Sequence, residues 1–135
     1  MAIMRSNREE GNKMATPSGQ YKVGVTWLWR AAFRLVSPEG KIIFIDPWLK
    51  DNPRCPAEYK EPDKVEADVI LFTHAHGDHE GDTAEIARRT GATVVTIVDL
   101  AASLQQKEVD TSQIVRLSYG GTAEVAGITA AMVPA

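Results

Sequence analysis

Residues 69–79 read VILFTHAHGDH, an apolar run that leads directly into a turn rich in histidine. A short apolar run of this kind, Val-Ile-Leu-Phe, is typical of a strand that is buried on both faces. The chain holds three histidines in all, and every one lies in the turn: His74, His76 and His79. A rigid strand is therefore expected to end in a concentrated group of ionisable side chains.

The residue types in this turn are those that bind transition metals. Neutral imidazole nitrogens and carboxylate oxygens are ligands of zinc, manganese and iron. His74 and His76 occupy alternate positions, so their side chains can point to the same side of an extended segment. After the permissive Gly77, Asp78 and His79 can face a second position nearby. The pattern favours two adjacent metals; the alternative is a solvated, hydrogen-bonded loop.

Strands are also predicted before this motif. Residues 23–29 place two valines and two tryptophans on one face of an extended segment, which predicts a half-buried strand. A second strand contains Phe33, and a turn at residues 37–40 leads to a third, fully buried strand at 42–45. Such close connections predict an antiparallel meander. The next segment, residues 47–66, contains four prolines and is typical of a long functional or mobile loop.

Helices and strands alternate after the motif. Asp82 and Glu85 match a capping box at the start of a helix of about two turns, which Gly91 ends. The elements predicted beyond it are a strand at 93–98, a short helix at 100–104, and strands at 114–117, 122–126 and 128–133. This mixture predicts an α/β fold with both antiparallel and crossover connections.

Composition limits the classes of function. The chain has 135 residues, 44% hydrophobic and 24% charged, as expected of one globular domain or a piece of one. A net charge of −3 without a basic stripe argues against nucleic acid as a partner.

No apolar run reaches the roughly 18 residues of a membrane helix. The single cysteine, Cys55, fits a reducing, cytoplasmic location as an unpaired thiol, with metal ligation as the alternative. Residues 1–20 predict a disordered extension.

The segment from Thr73 to His79 resembles the His-x-His-x-Asp-His signature of the metallo-β-lactamase-fold superfamily. Further segments look like its metal-dependent hydrolase branch related to the ascorbate-phosphate lactonases: Thr26-Trp27-Leu28, Ala32-Phe33, Ile45-Asp46-Pro47-Trp48 and Gly120-Gly121-Thr122. The resemblance covers residues 21–135. It implies a layered α/β (α+β) fold, namely the N-terminal half of an αββα sandwich.

The resemblance also implies a ligand set and a reaction. His74 and His76 would bind a first metal. Asp78 and His79 would bind a second, with zinc expected and manganese or iron as alternatives. Asp78 is the predicted catalytic residue, because it adds negative charge to a set of neutral imidazoles. Asp46 would orient a ligand by hydrogen bonding, the alternative being a turn residue that caps local amides. A metal-bridging hydroxide would attack an ester, lactone, amide or phosphoester of a small-molecule substrate.

One departure from the family pattern lies between the first two predicted strands. Many relatives carry Gly-His where this chain has Trp29-Arg30. Arg30 either binds an anionic group or is a solvated neighbour of a core tryptophan. The three tryptophans of the chain are interpreted as core or pocket wall rather than as a platform for bases.

A second departure concerns ligands that would follow residues 131–135, where the family's third histidine is expected. We therefore expect residues 21–135 to form a half-domain with an uncovered apolar sheet face, which drives self-association or association with the missing half. An alternative function is that of a catalytically inactive fragment that binds metal weakly and needs a partner chain. A di-iron oxidoreductase is disfavoured, because such proteins typically have a carboxylate in place of His76.

Overall fold

The computed structural model describes residues 22–134, in which six strands form one sheet and two strands form another. The strands are β1 (Gly24–Trp27), β2 (Phe33–Val36), β3 (Ile42–Ile45), β4 (Val69–Leu71), β5 (Thr93–Ile97), β6 (Ile114–Leu117), β7 (Thr122–Val125) and β8 (Ile128–Ala131). The helices are α1 (Gly77–Glu80), α2 (Thr83–Thr90) and α3 (Val98–Gln106), with short 3-10 helices at Ala57–Tyr59 and Thr111–Gln113. The predicted disordered extension, residues 1–20, lies outside the described residues.

The large sheet has the strand order β1-β2-β3-β4-β5-β6. Strands β1 to β3 pair antiparallel, which confirms the predicted meander, whereas β3 to β6 pair parallel through crossover connections. Ile45 at the end of β3 lies opposite Leu71 at the end of β4. Since parallel strands end at the same edge of a sheet, the residues that follow β3 and β4 emerge side by side.

Both faces of the central strands are covered. On one face, Phe44 and Ile70 pack with Ile86 of α2 and Leu104 of α3 in a fully buried cluster. The opposite face is covered by the β7–β8 hairpin: buried residues of β3, β4 and β5 pack there against buried residues of the hairpin, namely Ile43, Val69, Val95, Val125 and Ala130. Apolar runs in β3 and β4 are thus explained by burial on two sides.

The predicted uncovered sheet face is wrong for the central strands, because the β7–β8 hairpin covers them. Val69 is fully buried, so the second face is covered over the central strands. The cluster under the hairpin extends only as far as Leu35 on β2. Apolar side chains remain exposed on the edge strand, where Val25 and Trp27 are each 53% exposed, and at single positions elsewhere, such as Val98 on α3.

The sequence predicts the wrong buried face for the first strand. Val25 and Trp27 are exposed, and it is Gly24 and Thr26 on the opposite face that are partly buried. The strand also ends at Trp27, so Trp29 lies in the turn that follows. Alternation shows which residues share a face, but the position of β1 at the edge of the sheet decides how much of that face is covered.

The structure confirms the predicted end of α2 but not the predicted capping box at its start. Gly91 ends the helix in a left-handed conformation with φ of 74°, as predicted. Asp82 occupies the N-cap position but makes no side-chain capping hydrogen bond. Its carboxylate instead accepts hydrogen bonds from the backbone N–H groups of Leu49 and Lys50, at 2.7 and 3.0 Å. The capping box is therefore wrong, because a contact between distant loops uses the carboxylate.

No helix among residues 22–134 combines the length and the apolar character that a membrane crossing requires.

Asp68 joins the beginnings of β3 and β4. Its carboxylate accepts hydrogen bonds from the Ile42 backbone N–H at 2.8 Å and from Lys41 Nζ at 3.0 Å. Partial burial acts to raise the pKa of the Asp68 carboxyl, but the two hydrogen bonds and the Lys41 charge together hold that pKa below its ordinary value.

Replacing Asp68 by Asn should lower the free energy of unfolding by about 1 kcal/mol at neutral pH. Because the folded-state pKa is lowered, the carboxylate stabilises the fold above the unfolded-state pKa of about 3.9, and this contribution is lost as the pH falls through the folded-state pKa. Urea denaturation at several pH values should show the difference between the two proteins shrinking below about pH 4. An Asp51→Asn variant controls for the loss of one exposed carboxylate. A difference that stayed constant on acidification would contradict this account.

Candidate metal centre

The site is built where β3 and β4 end. Asp46 follows β3, and its backbone N–H donates to the carbonyl of Leu71 at 3.0 Å, which extends the pairing of the two strands by one bond. The backbone of Asp46 then turns into the left-handed region, with φ of 43°. Aspartate tolerates this conformation better than most residues. The turn brings the Asp46 side chain into contact with the histidine motif.

The Asp46 carboxylate is only 1% exposed and is fully engaged by the motif. It accepts hydrogen bonds from the Thr73 backbone N–H at 2.8 Å and from the Thr73 hydroxyl at 2.6 Å. His79 Nδ1 lies 2.7 Å from the same carboxylate. A buried carboxylate needs such donors because water is excluded from it. Its partners are 27 and 33 residues away along the chain, so Asp46 is more than a local turn cap.

These hydrogen bonds favour one neutral tautomer of two imidazole rings. His79 in its neutral form donates its Nδ1–H to Asp46, which leaves a lone pair on Nε2. The Thr73 hydroxyl gives its only proton to Asp46 and can therefore accept one from His74 Nδ1, which lies 2.9 Å away. His74 then also presents a lone pair on Nε2. A metal ligand needs this arrangement, with one ring nitrogen held and the other free.

Ring nitrogens of His74 and His76 face each other, and the His79 ring lies close to the His74 ring. His74 Nε2 lies 3.1 Å from His76 Nδ1. Two imidazole ligands of one tetrahedral metal would be about 3.3 Å apart, given metal–nitrogen bonds of about 2.0–2.1 Å. The His74 ring also lies 3.9 Å from the His79 ring, measured between centroids. Ligand atoms of Asp46, His74 and His79 all lie within 4.8 Å of one another. The spacing of His74 Nε2 and His76 Nδ1 therefore fits two ligands of one divalent cation. Asp46 belongs to the cluster as the hydrogen-bond partner of His79.

Asp78 is not among the residues of that cluster. It occupies the second position of α1, and its side chain is 34% exposed. Its carboxylate lies 3.9 Å from the guanidinium of Arg30. The structure thus places the Asp78 side chain beside the turn after β1. That Asp78 and His79 share a second metal stays a prediction.

Cys55, the other candidate ligand weighed from the sequence, is a free, buried thiol. Burial raises the pKa of this thiol above its ordinary value, and the nearby Lys60 offsets the rise in part. The metal-ligand cluster found in residues 22–134 does not include it.

Sequence reasoning missed the role of Gly81, which follows α1. Its φ is 44°, and a Cβ at this position would lie 2.6 Å from both the Pro47 carbonyl oxygen and the Trp48 Cα. The N–H of Asp82 donates to that same carbonyl at 2.9 Å. The end of the motif is therefore clamped onto the loop that follows Asp46. The signal was present in the sequence as a glycine directly before Asp82, but the partner segment lies more than 30 residues away.

The turn after β1 is strained. Trp29 and Arg30 both adopt left-handed backbone conformations, with φ of 81° and 54°. Residues other than glycine adopt them at a cost on the order of 1–3 kcal/mol each. The indole N–H of Trp27 donates to the Arg30 carbonyl at 2.9 Å and supports the turn. Trp29 is thus part of a strained turn rather than of the core.

A family profile described as the beta-lactamase superfamily domain matches residues 41–135, which include Asp46 and the whole motif. The chain belongs to this family. Membership in the beta-lactamase superfamily agrees with the mixed sheet and its covering layers, and it confirms the fold class expected from the motif. The finer resemblance to ascorbate-phosphate lactonases stays a prediction.

Several named proteins are similar to this chain over most of its length. A protein of Koribacter versatilis named UPF0173 metal-dependent hydrolase is 45% identical over 111 residues, which are 82% of this chain and 46% of that protein. A protein of the same name from Methanopyrus kandleri is 44% identical over the same shares. The solved structure of Igni18, a metallo hydrolase from the archaeon Ignicoccus hospitalis, matches with a TM-score of 0.69 at 35% identity, covering 84% of this chain and 48% of Igni18. The chain spans about half the length of these relatives.

Replacing Gly81 by Ala should destabilise the fold by about 2 kcal/mol or more, because the new methyl group meets backbone atoms and the left-handed φ is unfavourable. Chemical denaturation would measure the free energy of unfolding. Two matched variants separate the causes. Gly91→Ala has a left-handed φ but open space around the new Cβ, so it should cost only about 1 kcal/mol. Gly77→Ala meets neither obstacle and should be close to neutral. Equal losses for Gly81→Ala and Gly91→Ala would contradict the close approach of the two loops.

Proposed function

We propose that this chain carries metal-binding residues of a metal-dependent hydrolase. The observation that supports this most directly is the hydrogen-bond network of Asp46 and Thr73, which leaves a lone pair on Nε2 of both His74 and His79. A solvated loop would have no need of a buried carboxylate to hold its imidazoles in one tautomer. The names of the similar proteins support the same class of reaction.

Each side chain has a distinct task in this proposal. His74 and His76 hold one divalent cation through the two nitrogens that face each other. His79 and Asp78 hold a second, and Asp46 keeps His79 in place without being a ligand itself, since its oxygens are already occupied by donors. When bound, such cations supply Lewis acidity and lower the pKa of water toward neutrality.

The substrate class that follows is a small molecule with an ester, lactone, amide or phosphoester bond. Zinc suits the histidine-rich donor set, and manganese and iron accept the same ligands. Because the relatives are about twice as long, the complete activity is proposed for the domain as those relatives have it. We expect further ligands and a further pocket wall there.

A second candidate function is a half-domain that binds metal weakly and works only with a partner chain. The exposed apolar side chains of Val25 and Trp27 on β1 favour it, because an edge strand with such a surface is suited to association. The partner would be a second copy of the chain or the remainder of the domain. Hydrolysis by the 135-residue chain alone, lost on addition of a chelator, would contradict this second candidate.

Metal content tests the proposal without reference to a substrate. Wild-type chain dialysed against zinc and then against buffer should retain metal, whereas the His74→Ala/His76→Ala variant should lose it. Elemental analysis would measure the ratio of zinc to protein. Thr73→Val, which removes a hydroxyl but no ligand, should bind zinc about 10–100-fold more weakly than wild type. Circular dichroism would verify that each variant is folded. Equal zinc content in wild type and the double variant would overturn the metal centre.

A further inference from the structure

All three tryptophans of the chain line one open cavity of about 510 Å³ beside the metal centre. Two arginines and a proline complete its wall. The lining residues are Trp27, Trp29, Arg30, Trp48, Pro53 and Arg54. They come from three separate segments: the end of β1, the turn after it, and the proline-rich loop. We call this cavity the Trp–Arg pocket.

The flat rings of the pocket are held in place. Trp27 and Trp29 lie with ring centroids 4.6 Å apart and a tilt of 32°. The Trp27 indole N–H is fixed by its hydrogen bond to the Arg30 carbonyl. Trp29 stands on a left-handed backbone that a tryptophan rarely adopts. A strained residue that presents a partly exposed ring to a cavity suggests that the ring has a use there.

The positive charges of the pocket are available to a ligand. The Arg54 guanidinium lies over the Trp29 ring at 4.5 Å, which is a cation–π contact. Among the described residues, no carboxylate lies within 4.0 Å of that guanidinium. Arg30 has a side chain that is 63% exposed and only a long contact to Asp78, at 3.9 Å. Guanidinium groups bind carboxylates and phosphates through paired hydrogen bonds and also stack on flat rings.

The pocket adjoins the proposed reaction site. Arg30 reaches Asp78, which is one of the proposed ligands. Trp48 follows Asp46 by two residues, and its backbone packs against Gly81 at the end of the motif. A molecule bound in the pocket would therefore lie next to the metal-binding side chains.

We propose that the Trp–Arg pocket recognises the substrate of this site, and that the substrate is a small molecule in which a flat unsaturated ring carries a carboxylate or a phosphate. This inference rests on the proposed hydrolase function. The indole rings stack on the flat part of the substrate, and the two guanidinium groups bind its anion. The volume of the pocket suits one small molecule.

Tryptophan fluorescence, excited at a wavelength that tyrosine does not absorb, reports on this pocket alone, because the chain has no other tryptophan. The 135-residue chain would be titrated in the presence of a chelator, so that binding does not depend on a metal. Benzoate and phenyl phosphate are the two probes, and they separate a carboxylate preference from a phosphate preference. Cyclohexanecarboxylate, benzyl alcohol and inorganic phosphate are the comparison compounds, each lacking the flat ring or the charge.

Saturable quenching by benzoate or phenyl phosphate is expected, with binding at least about tenfold weaker for every comparison compound. Arg30→Gln and Arg54→Gln should each weaken the better probe about tenfold or more. Arg54→Lys keeps the charge but loses the planar group, so its affinity should fall between those of Arg54→Gln and wild type. Trp29→Gly removes the ring at a position whose backbone glycine adopts readily, so it should remain folded and lose binding. Arg116→Gln, which changes an exposed arginine on β6, should bind as wild type does.

Two results would overturn the pocket: cyclohexanecarboxylate binding as tightly as benzoate, or unchanged affinity in both Arg30→Gln and Arg54→Gln. The metal measurement distinguishes this failure from a failure of the proposed function. Ring-anion binding together with equal zinc content in wild type and the double histidine variant would overturn the hydrolase alone. Normal zinc binding without probe binding would overturn the pocket alone.

Discussion

The buried carboxylate of Asp46 is the interaction on which the site depends. Once β3 and β4 are paired, this side chain is enclosed at the edge of the sheet and must find donors within the protein. It finds them at both ends of the histidine motif, in Thr73 and His79. The motif is thereby fixed to the sheet at two points, and the residues between those points have little freedom. A set of ligands that is ordered before a cation arrives loses less conformational entropy on binding it.

Two further constraints keep the loop after Asp46 against the motif. The absence of a side chain at Gly81 lets the backbones of the two segments approach closely, and the Asp82 carboxylate binds the amides of Leu49 and Lys50. Trp48 lies between these contacts and lines the Trp–Arg pocket. The same clamp that closes the metal centre therefore also positions one wall of the proposed substrate pocket. A substitution that loosens this contact should therefore disturb both the metal centre and the Trp–Arg pocket.

The parts of this architecture that could be predicted are those encoded locally. The apolar runs of β3 and β4 require burial on both faces, and three histidines within six residues are necessarily near one another. The parts that could not be predicted depend on distant segments. The sequence around Asp82 predicts a helix cap, but the carboxylate accepts a hydrogen bond from the distant Leu49 amide instead. The alternation in β1 predicts that Val25 is buried, but no layer within the described part of the chain covers that face of the edge strand. Likewise, no local pattern predicts that Trp48 and Trp29 line the same cavity, since this depends on how the proline-rich loop packs against the turn after β1.

The tautomers of the histidine rings test the role of Asp46 most directly. Nitrogen-15 NMR of the metal-free chain, recorded at a pH where the imidazoles are neutral, assigns the proton to one ring nitrogen of each histidine. We expect His74 and His79 to carry it on Nδ1 in the wild-type chain. In Asp46→Asn we expect His79 to shift toward the Nε2–H form, because an amide is a weaker acceptor than a carboxylate. Nε2–H forms of His74 and His79 in the wild-type chain, or spectra unchanged by the substitution, would contradict the account.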